Sequence, residues 1–254
     1  MDAKIIIIGA GIVGLAVASE LPKEYPKFIL EKNFKYGQET SSRNSQIIHS
    51  AINYPPNSLK SLLCLEGNKL LYELCSKHQI PHKKIGKLII AQTKDEVGDL
   101  EKKLEQARMN GVENISLISK NEVNKLEPYI KAEAALYSQD MGIIDAHALM
   151  DYFYLKAKEN NTDFVFGNEV FNIEKNSQGY EIEIKSGNGT IKVNSEIVIN
   201  AAGLNAHNIA NMLGFNYKQY YCKGDYFSVH NGKDKLVSRL IYPLVKKDNP
   251  GLGI

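Results

Sequence analysis

The chain has 254 residues, enough for one large domain or for two domains that share the sequence. Hydrophobic residues make up 43% and charged residues 24%, values that are typical of globular proteins and exclude a disordered or collagen-like chain. The formal net charge of +2 indicates no general affinity for nucleic acid or anionic membranes, and no stretch approaches the length of a membrane span.

The cysteines and the N-terminal residues indicate the cellular location of the protein. Cys64, Cys75 and Cys222 lack the spacing of a metal site, and their odd number disfavours a secreted disulfide framework. The apolar run 5–8 is too short for a signal peptide and is followed at once by glycine. These features favour a reducing compartment and a cytoplasmic location, and no metal site is predicted.

The first thirty residues predict a parallel β-helix-β unit. Residues 4–8 form a β-branched strand pattern, 12–21 a helix that stops at Pro22, and 27–31 a second strand. Strands joined in this way by a short helix are parallel, with a right-handed crossover.

The middle of the chain alternates helices and strands. Apolar spacing predicts a long helix over 58–77, and the capping boxes TKDE at 93–96 and SKNE at 119–122 begin two more. Strands are expected at 85–91 and 134–138. A further helix is expected from Asp145, its cap, to Leu155.

The last hundred residues predict mainly strands. Alternating apolar residues from Phe164 to Val193 indicate a small meander with turns at 176–179 and 186–189. Then follow a buried strand at 197–200, a helix at 205–213, and strands at 225–230 and 236–242. The fold class is therefore α/β: a Rossmann-like domain of residues 1–82 and 140–218, interleaved with a partial mixed-sheet domain of residues 83–139 and 219–254.

The sequence Gly9-Ala-Gly11-Ile-Val-Gly14 lies between the first strand and the first helix, where a dinucleotide-binding motif belongs. Gly9 allows a tight turn, Gly11 a close approach to a pyrophosphate, and Gly14 close packing of helix and strand. Glu31 ends the second strand, where a carboxylate accepts hydrogen bonds from an adenosine ribose. The alternative is a glycine turn that binds no ligand.

A second segment favours FAD over NAD as the dinucleotide. Residues 197–203 (IVINAAG) predict a strand that ends in small residues, including Ala202 and Gly203, so that a cofactor can lie against the backbone. Flavin enzymes of this architecture use such a second contact strand. The alternative is a tight turn between a strand and a helix.

The chain resembles the FAD-dependent oxidoreductase superfamily that includes D-amino-acid oxidase and glycine oxidase, and within it the L-2-hydroxyglutarate dehydrogenase/oxidase branch. Block 41–67 points to that branch. The segments that carry the resemblance are GAGIVGLAVASEL, ILEK, SSRNSQIIHSAINYPPNSLKSLLCLEG, GIIDAHAL, VINAAGLNA, KGDYFSV and LIYPL. The resemblance implies a Rossmann-like FAD-binding domain, FAD as cofactor and hydride transfer from a 2-hydroxy acid to flavin N5.

The resemblance also implies which residues contact the cofactor. The polar loop with Ser42, Arg43, Asn44 and Ser45 suits the pyrophosphate and the flavin side, although these residues are also typical of a solvated loop. Val170 is a further predicted cofactor contact.

His49 is the candidate catalytic base, because related flavoproteins place a histidine at the matching position beside the flavin ring, and a neutral imidazole accepts a proton near pH 7. A buried structural histidine is the alternative, and a covalent flavin bond stays open. Tyr54 and Lys60 are candidate ligands of the substrate carboxylates, as are Lys223 and Arg239.

Three positions depart from the family pattern: Asn53, Leu62 and Val245. They weaken the substrate assignment more than the cofactor assignment. Because family members are longer, the sequence also suggests a truncated enzyme that needs a partner chain. The alternative functions are an amine or amino-acid oxidase of the glycine or sarcosine type, a catalytically silent FAD-binding subunit and, third, an NAD-dependent dehydrogenase.

The expected electron acceptor is oxygen or a quinone. A quinone would place the protein at the inner face of a membrane, but no strong basic amphipathic helix predicts membrane contact.

Overall fold

The computed structural model of the chain describes residues 2–187, 189–229 and 232–244. They divide into two compact units, a first unit drawn from Met1–Ser45 and Ala146–Cys222 and a second unit drawn from Gln46–Asp145 and Lys223–Ile254. These boundaries differ from the predicted ones, because residues 46–82 and 140–145 belong to the second unit and residues 219–222 to the first. Within 46–82, Cys64 and Leu65 pack into the core of the second unit. The functions expected of the two domains stay predictions.

The helices and strands are numbered in chain order. The helices are α1 Ile12–Glu20, α2 Leu59–Lys77, α3 Val97–Met109, α4 Lys120–Leu126, α5 Ala146–Glu159 and α6 Ala206–Met212. The strands are β1 Asp2–Ile8, β2 Lys27–Glu31, β3 Ile47–Ile48, β4 His82–Lys83, β5 Lys87–Ala91, β6 Ile115–Ser119, β7 Ala134–Ser138, β8 Gly142–Ile144, β9 Thr162–Phe166, β10 Asn168–Asn176, β11 Gly179–Ser186, β12 Gly189–Asn200 and β13 Leu240–Pro243.

The first unit is built on a six-stranded sheet with the order β10-β11-β12-β1-β2-β9. Strands β12, β1, β2 and β9 are parallel, whereas β10, β11 and β12 are antiparallel. Strand β12 joins the two halves: residues 189–195 pair with β11, and residues 194–200 pair with β1. The mixed pairing therefore comes from one continuous strand.

Strand β1 contributes to a core on each face of this sheet. Ile6 and Ile8 pack on one face with residues of β10, β11 and α6. Ile5 and Ile7 pack on the other face with residues of α1 and α5. Because side chains alternate along a strand, a run of four isoleucines is suited to a strand that is covered on both sides.

The second unit contains two smaller sheets. One has four strands in the order β13-β5-β7-β6, with β5 parallel to β13 and antiparallel to β7. The other has the order β3-β8-β4. Both capping boxes are present, at Thr93 with Glu96 and at Ser119 with Glu122, and the side chain of Ser58 caps α2.

Several predicted elements differ from the structure. Phe164 and Phe166 lie in β9, which pairs in parallel with β2 and is not part of the meander. Residues 197–200 continue β12, and Ile197 is 44% exposed, so this strand is less buried than expected. The helix that was predicted to end at Leu155 is longer in the structure, because α5 continues to Glu159.

The C-terminal strand predictions were partly wrong. Residues 225–229 form no strand and are exposed, and in 236–242 the strand begins only at Leu240, where pairing with β5 starts. His230 and Val245 lie outside the described residues. Among the residues that the structure describes, no helix combines the length and the apolar character that a membrane span needs.

Candidate functional site

The turn from β1 to α1 is held by close backbone packing. Gly9 has a φ of +103°, and its N–H donates to the Leu30 carbonyl at 2.8 Å. A Cβ at Gly9 would lie 2.5 Å from the Ala201 carbonyl oxygen, and a Cβ at Gly14 would lie 2.1 Å from the Gly9 carbonyl oxygen. Only glycine fits these two positions, since neither contact leaves room for a side chain.

The N-terminus of α1 is suited to an anion. Gly11 caps the helix without a side chain, and the Ile12 N–H donates to Ser41 Oγ at 2.9 Å. In this described helix the first turn has no acidic residue that would repel a phosphate. The hydrogen bond to Ser41 thus joins the N-terminus of α1 to the polar loop that contains Ser41.

Glu31 is 7% exposed and is fixed by three hydrogen bonds. Its Oε2 accepts from the Ala10 N–H at 2.8 Å, and its Oε1 accepts from the N–H and the Nδ2 of Asn33 at 2.9 and 2.8 Å. Each carboxylate oxygen offers about two acceptor positions, so Oε2 keeps one for a ligand hydroxyl. The carboxylate can therefore organise the turn and still accept a bond from a ribose.

A cleft of about 610 Å³ lies beside this turn within the first unit. It brings together seven of the predicted cofactor residues: Gly9, Gly11, Glu31, Asn44, Val170, Ala202 and Gly203. Strand β10 shifts register between Val170 and Asn172, and both Val170 and Phe171 line the cleft. Irregular pairing of this kind redirects side chains, which is common beside ligand sites.

Other predicted cofactor residues do not line this cleft. Ser42 and Arg43 line a separate cavity of about 410 Å³, also within the first unit. The Arg43 guanidinium donates to the Gln38 carbonyl, and Ser42 Oγ donates to the Glu39 carbonyl at 2.9 Å. Gly14 packs behind the turn instead, and Ser45 is exposed.

The sequence interpretation missed two residues that shape the cleft. Ser41 is the first residue of block 41–67 and was not singled out, although its hydroxyl accepts a hydrogen bond from the Ile12 N–H at the start of α1. Asn200 shapes the turn after β12: its Oδ1 accepts from the Ala202 N–H at 3.2 Å, and its Nδ2 donates to the Ala206 carbonyl at 2.7 Å. An asparagine that ends a strand before Ala-Ala-Gly was the available signal.

The residues of this cleft fit the ADP half of FAD. Three features lie around one cavity: a glycine turn without Cβ atoms, a helix terminus without an acidic side chain, and a carboxylate with a remaining acceptor position. These groups match a pyrophosphate and a ribose in chemistry and in order along the chain.

The Glu31→Gln variant should bind FAD roughly 10- to 100-fold more weakly and should be destabilised by about 1–3 kcal/mol, because an amide NH2 would face one of the N–H donors. Urea unfolding and a fluorescence titration with FAD measure both effects. Glu20→Gln is the control, since Glu20 forms an exposed ion pair with Lys156. Equal affinity in Glu31→Gln and the unmodified chain would contradict the assignment of Glu31.

In the second unit, hydrogen bonds to the His49 carbonyl and to the side chain of the next residue, Ser50, fix the backbone around His49. Asn68, 7% exposed, donates through Nδ2 to the His49 carbonyl at 2.8 Å and to the Asp140 carbonyl at 2.9 Å. The next residue, Ser50, forms a buried hydrogen bond with Ser138, Oγ to Oγ at 3.0 Å. His49 is therefore an exposed side chain on a fixed backbone.

The charge around His49 favours a neutral ring. Although the side chain is open to solvent on one side, desolvation by the surrounding protein lowers the pKa of His49 below its usual 6.5. The positive charges of Lys87 and then Lys60 lower this pKa further. A ring that is neutral at pH 7 can accept a proton.

Tyr54 and Lys60 lie together. Lys60 Nζ is 4.5 Å from the centroid of the Tyr54 ring, a cation–π contact. Burial, and then Cys64, raise the pKa of the Tyr54 hydroxyl, which keeps it a neutral donor. Of the positions that depart from the family pattern, Asn53 accepts through Oδ1 from Lys103 Nζ at 2.9 Å, and Leu62 is 56% exposed on α2.

The other two cationic candidates are paired within the chain. Arg239 Nη1 lies 3.1 Å from Glu127 Oε1, and Glu127 is 2% exposed. Lys223 Nζ lies 2.8 Å from Asp225 Oδ1 at the surface. Since each already has a carboxylate partner, neither is retained as a substrate ligand.

Comparison with known proteins identifies relatives along the whole chain. Residues 4–254 match the DAO family of FAD dependent oxidoreductases. The mitochondrial L-2-hydroxyglutarate dehydrogenase of Arabidopsis thaliana is 33% identical over 282 residues, which cover 98% of this chain and 58% of the relative. The L-2-hydroxyglutarate dehydrogenase of Indibacter alkaliphilus is 31% identical over 260 residues, which cover 100% of this chain and 64% of the relative. The expected resemblance to this branch is confirmed.

Solved structures share the fold. The L-α-glycerophosphate oxidase of Mycoplasma pneumoniae, with FAD bound, superposes with a TM-score of 0.82 at 24% identity, over 100% of this chain and 68% of that one. Glycine oxidase from Geobacillus kaustophilus gives a TM-score of 0.79 at 20% identity, over 96% of this chain and 66% of that one. The mixed α/β fold class predicted from the sequence is confirmed.

The chain spans about three fifths of the length of these curated relatives, 58% and 64% of the two described. The family match nevertheless covers all but the first three residues of this chain, and FAD is the cofactor of that family. The glycine turn, the fixed carboxylate and the cleft beside them occur where such a cofactor needs them. The chain belongs to the FAD-dependent oxidoreductase family.

Proposed function

We propose that the chain takes part in the FAD-dependent oxidation of a small 2-hydroxy acid, L-2-hydroxyglutarate, to 2-oxoglutarate. The observation that carries this proposal is the match of nearly the whole chain, at 31–33% identity, to proteins named L-2-hydroxyglutarate dehydrogenase. When bound, FAD supplies the acceptor for the two electrons that leave the substrate as a hydride.

In this proposal the cleft of the first unit holds the ADP half of FAD. The backbone at Gly9 and Gly11 and the N-terminus of α1 bind the pyrophosphate, and Glu31 accepts from the ribose. The remaining contacts come from the loop and the strand ends: Ser42, Arg43, Asn44, Ser45, Val170, Ala202 and Gly203. The lining of the cleft includes six of these nine non-acidic positions: Gly9, Gly11, Asn44, Val170, Ala202 and Gly203. Ser42, Arg43 and Ser45 lie outside this lining.

His49 is the proposed base. Oxidation of a secondary alcohol requires the hydroxyl proton to leave while the hydride leaves C2, and an imidazole nitrogen of His49 accepts that proton. Its low pKa keeps the ring ready for this step at neutral pH, and the fixed backbone on either side keeps the ring in place.

Tyr54 and Lys60 are the proposed ligands of one substrate carboxylate. The ammonium of Lys60 supplies charge, and the hydroxyl of Tyr54 supplies a neutral donor that stays protonated at neutral pH. Both come from the segment between β3 and the first turn of α2, which also follows His49 in sequence.

The electron acceptor and the location also belong to this proposal. Oxygen or a quinone takes the electrons, and the expected location is cytoplasmic, with contact to the inner face of a membrane if the acceptor is a quinone. The relatives from Arabidopsis thaliana and Bos taurus are named mitochondrial, which makes a mitochondrial location the alternative to test.

Anaerobic absorption spectra test the proposed function. The chain is mixed with FAD, freed of unbound cofactor and recorded before and after addition of L-2-hydroxyglutarate, with the D enantiomer as control. We expect a flavin band that bleaches with the L enantiomer alone. Bleaching by glycine or sarcosine would instead identify an amine oxidase, and a retained flavin that none of these compounds reduces would identify a silent FAD-binding subunit.

A further inference from the structure

Lys87 is a lysine inside the core of the second unit. It is the first residue of β5, all five of whose residues are buried, and its side chain is 2% exposed. Because side chains alternate along a strand, Lys87 shares a face with Ile89 and Ala91, which pack into an apolar cluster. An ammonium group in such a place is costly unless something compensates its charge.

Within the described residues, the charge of Lys87 is partly compensated by an aromatic ring. Lys87 Nζ lies 3.4 Å from the centroid of the Tyr242 ring, on strand β13, which pairs with β5. In the described part of the chain, no carboxylate forms an ion pair with Lys87. The described carboxylates of this unit that form ion pairs have other partners: Asp140 with Lys84, Asp99 with Lys102, Glu133 with Lys120, Glu127 with Arg239, and Asp225 with Lys223.

The surroundings of Lys87 are cationic as well. Lys103, from α3, is the charged neighbour of Lys87. His49 feels the charges of both Lys87 and Lys60. Burial, and then the charge of Lys103, lower the pKa of Lys87 to about 8. The ammonium form therefore still predominates at pH 7, beside the positive charge of Lys103.

Such an arrangement lacks the anion that would balance it. Tyr242, the ring that covers Lys87, is itself only half-buried. A ligand with two carboxylates supplies charge for the cluster in a form that a lysine ammonium binds well.

We propose that Lys87, which lies on the Tyr242 ring, binds a carboxylate of the substrate. This inference rests on the proposed function and extends it, since Lys60 with Tyr54 then holds one carboxylate of a dicarboxylate and Lys87 with Lys103 holds the other. The hydroxyl-bearing carbon between the two carboxylates is thereby presented to His49.

Ligand binding by a matched pair of variants tests this proposal. Calorimetry of the chain with FAD present, titrated with 2-oxoglutarate and with glutarate, should give roughly 10- to 100-fold weaker binding in Lys87→Met. Lys102→Met is the control, because Lys102 forms an exposed ion pair with Asp99 on α3. We also expect Lys87→Met to melt at a higher temperature, since it replaces a buried unpaired charge by an apolar chain of similar length.

A measurement on the unmodified chain covers the case in which Lys87→Met does not fold. Lysine labelled with 13C at Cε reports the titration of each ammonium, and the Lys87→Arg variant identifies the Lys87 signal. Addition of 2-oxoglutarate should raise the pKa of Lys87, because a bound carboxylate favours the charged form.

The outcomes separate the two proposals. Unchanged carboxylate affinity in Lys87→Met, or a Lys87 signal that 2-oxoglutarate does not move, overturns the role of Lys87. If L-2-hydroxyglutarate bleaches the flavin with equal KM in both proteins, the proposed function stands and Lys87 is structural. If glutarate binds through Lys87 but L-2-hydroxyglutarate does not reduce the flavin, the carboxylate site stands and the proposed function fails.

Discussion

The Gly14→Ala variant should lose FAD and unfold at a lower urea concentration than the unmodified chain. The added Cβ would lie 2.1 Å from the Gly9 carbonyl oxygen, and that atom belongs to a backbone turn that is itself packed against Ala201. The α1 helix must therefore move away from the turn. Overpacking of this kind costs about 1–3 kcal/mol.

The effect of Gly14→Ala on the free energy of FAD binding should be comparable with its effect on stability. In the proposed binding mode, a shifted helix no longer directs its N-terminal N–H groups at the pyrophosphate. The loss of such charge-assisted hydrogen bonds weakens binding by roughly 100-fold or more. Flavin fluorescence during FAD titration measures the affinity, and urea unfolding measures the stability.

Gly67→Ala is the matched control for Gly14→Ala. Gly67 also lies inside a helix, α2, but a Cβ there would meet no atom within 4 Å. Alanine should therefore stabilise the protein by up to about 1 kcal/mol, through helix propensity, and leave FAD affinity unchanged. Wild-type FAD affinity in Gly14→Ala would show that the β1–α1 turn is not the pyrophosphate site.

The second large effect is expected at His49. Replacing His49 by glutamine removes the proposed proton acceptor and should lower kcat for L-2-hydroxyglutarate by roughly 10²- to 10⁴-fold, with a much smaller change in KM. His78→Gln is the control, since His78 is an exposed residue at the end of α2 in the same unit.

The pH profile of the unmodified chain gives an independent measurement of His49. The base must be neutral, and because desolvation and the charges of Lys87 and Lys60 lower the pKa of His49, activity should fall on the acid side with a midpoint below 6.5. In His49→Gln this acid limb should disappear. An unchanged limb, or a rate close to that of the unmodified chain, would exclude His49 as the base.

The elements with strong local signals were predictable. Strand β2 has the predicted bounds and α1 ends within one residue of its predicted end, because β-branched runs, glycines and Pro22 determine them locally. The same is true of the capping boxes at Thr93 and Ser119. The glycine turn and Glu31 were found for the same reason, since their spacing is set within one β-helix-β unit.

Features that depend on distant partners were not predictable in this way. The sequence gives no sign that residues 197–200 continue the strand that begins at Gly189, because the change of partner from β11 to β1 is a tertiary event. Lys87 is a further example. A lysine at the start of a strand is normally exposed, and its burial depends on Tyr242, which is far along the chain.

Strand β1 pairs on one side with β2 and on the other with β12, in a register that places Asp2 beside Asn194. At about 5–20 residues per second, a ribosome needs roughly 10–40 s to reach that partner after the N-terminus is made. During this time the isoleucine run of residues 5–8 has an open hydrogen-bonding edge, which is the kind of segment that associates with other chains. Pairing of β1 with β12 therefore removes an edge that is open to association from the first unit.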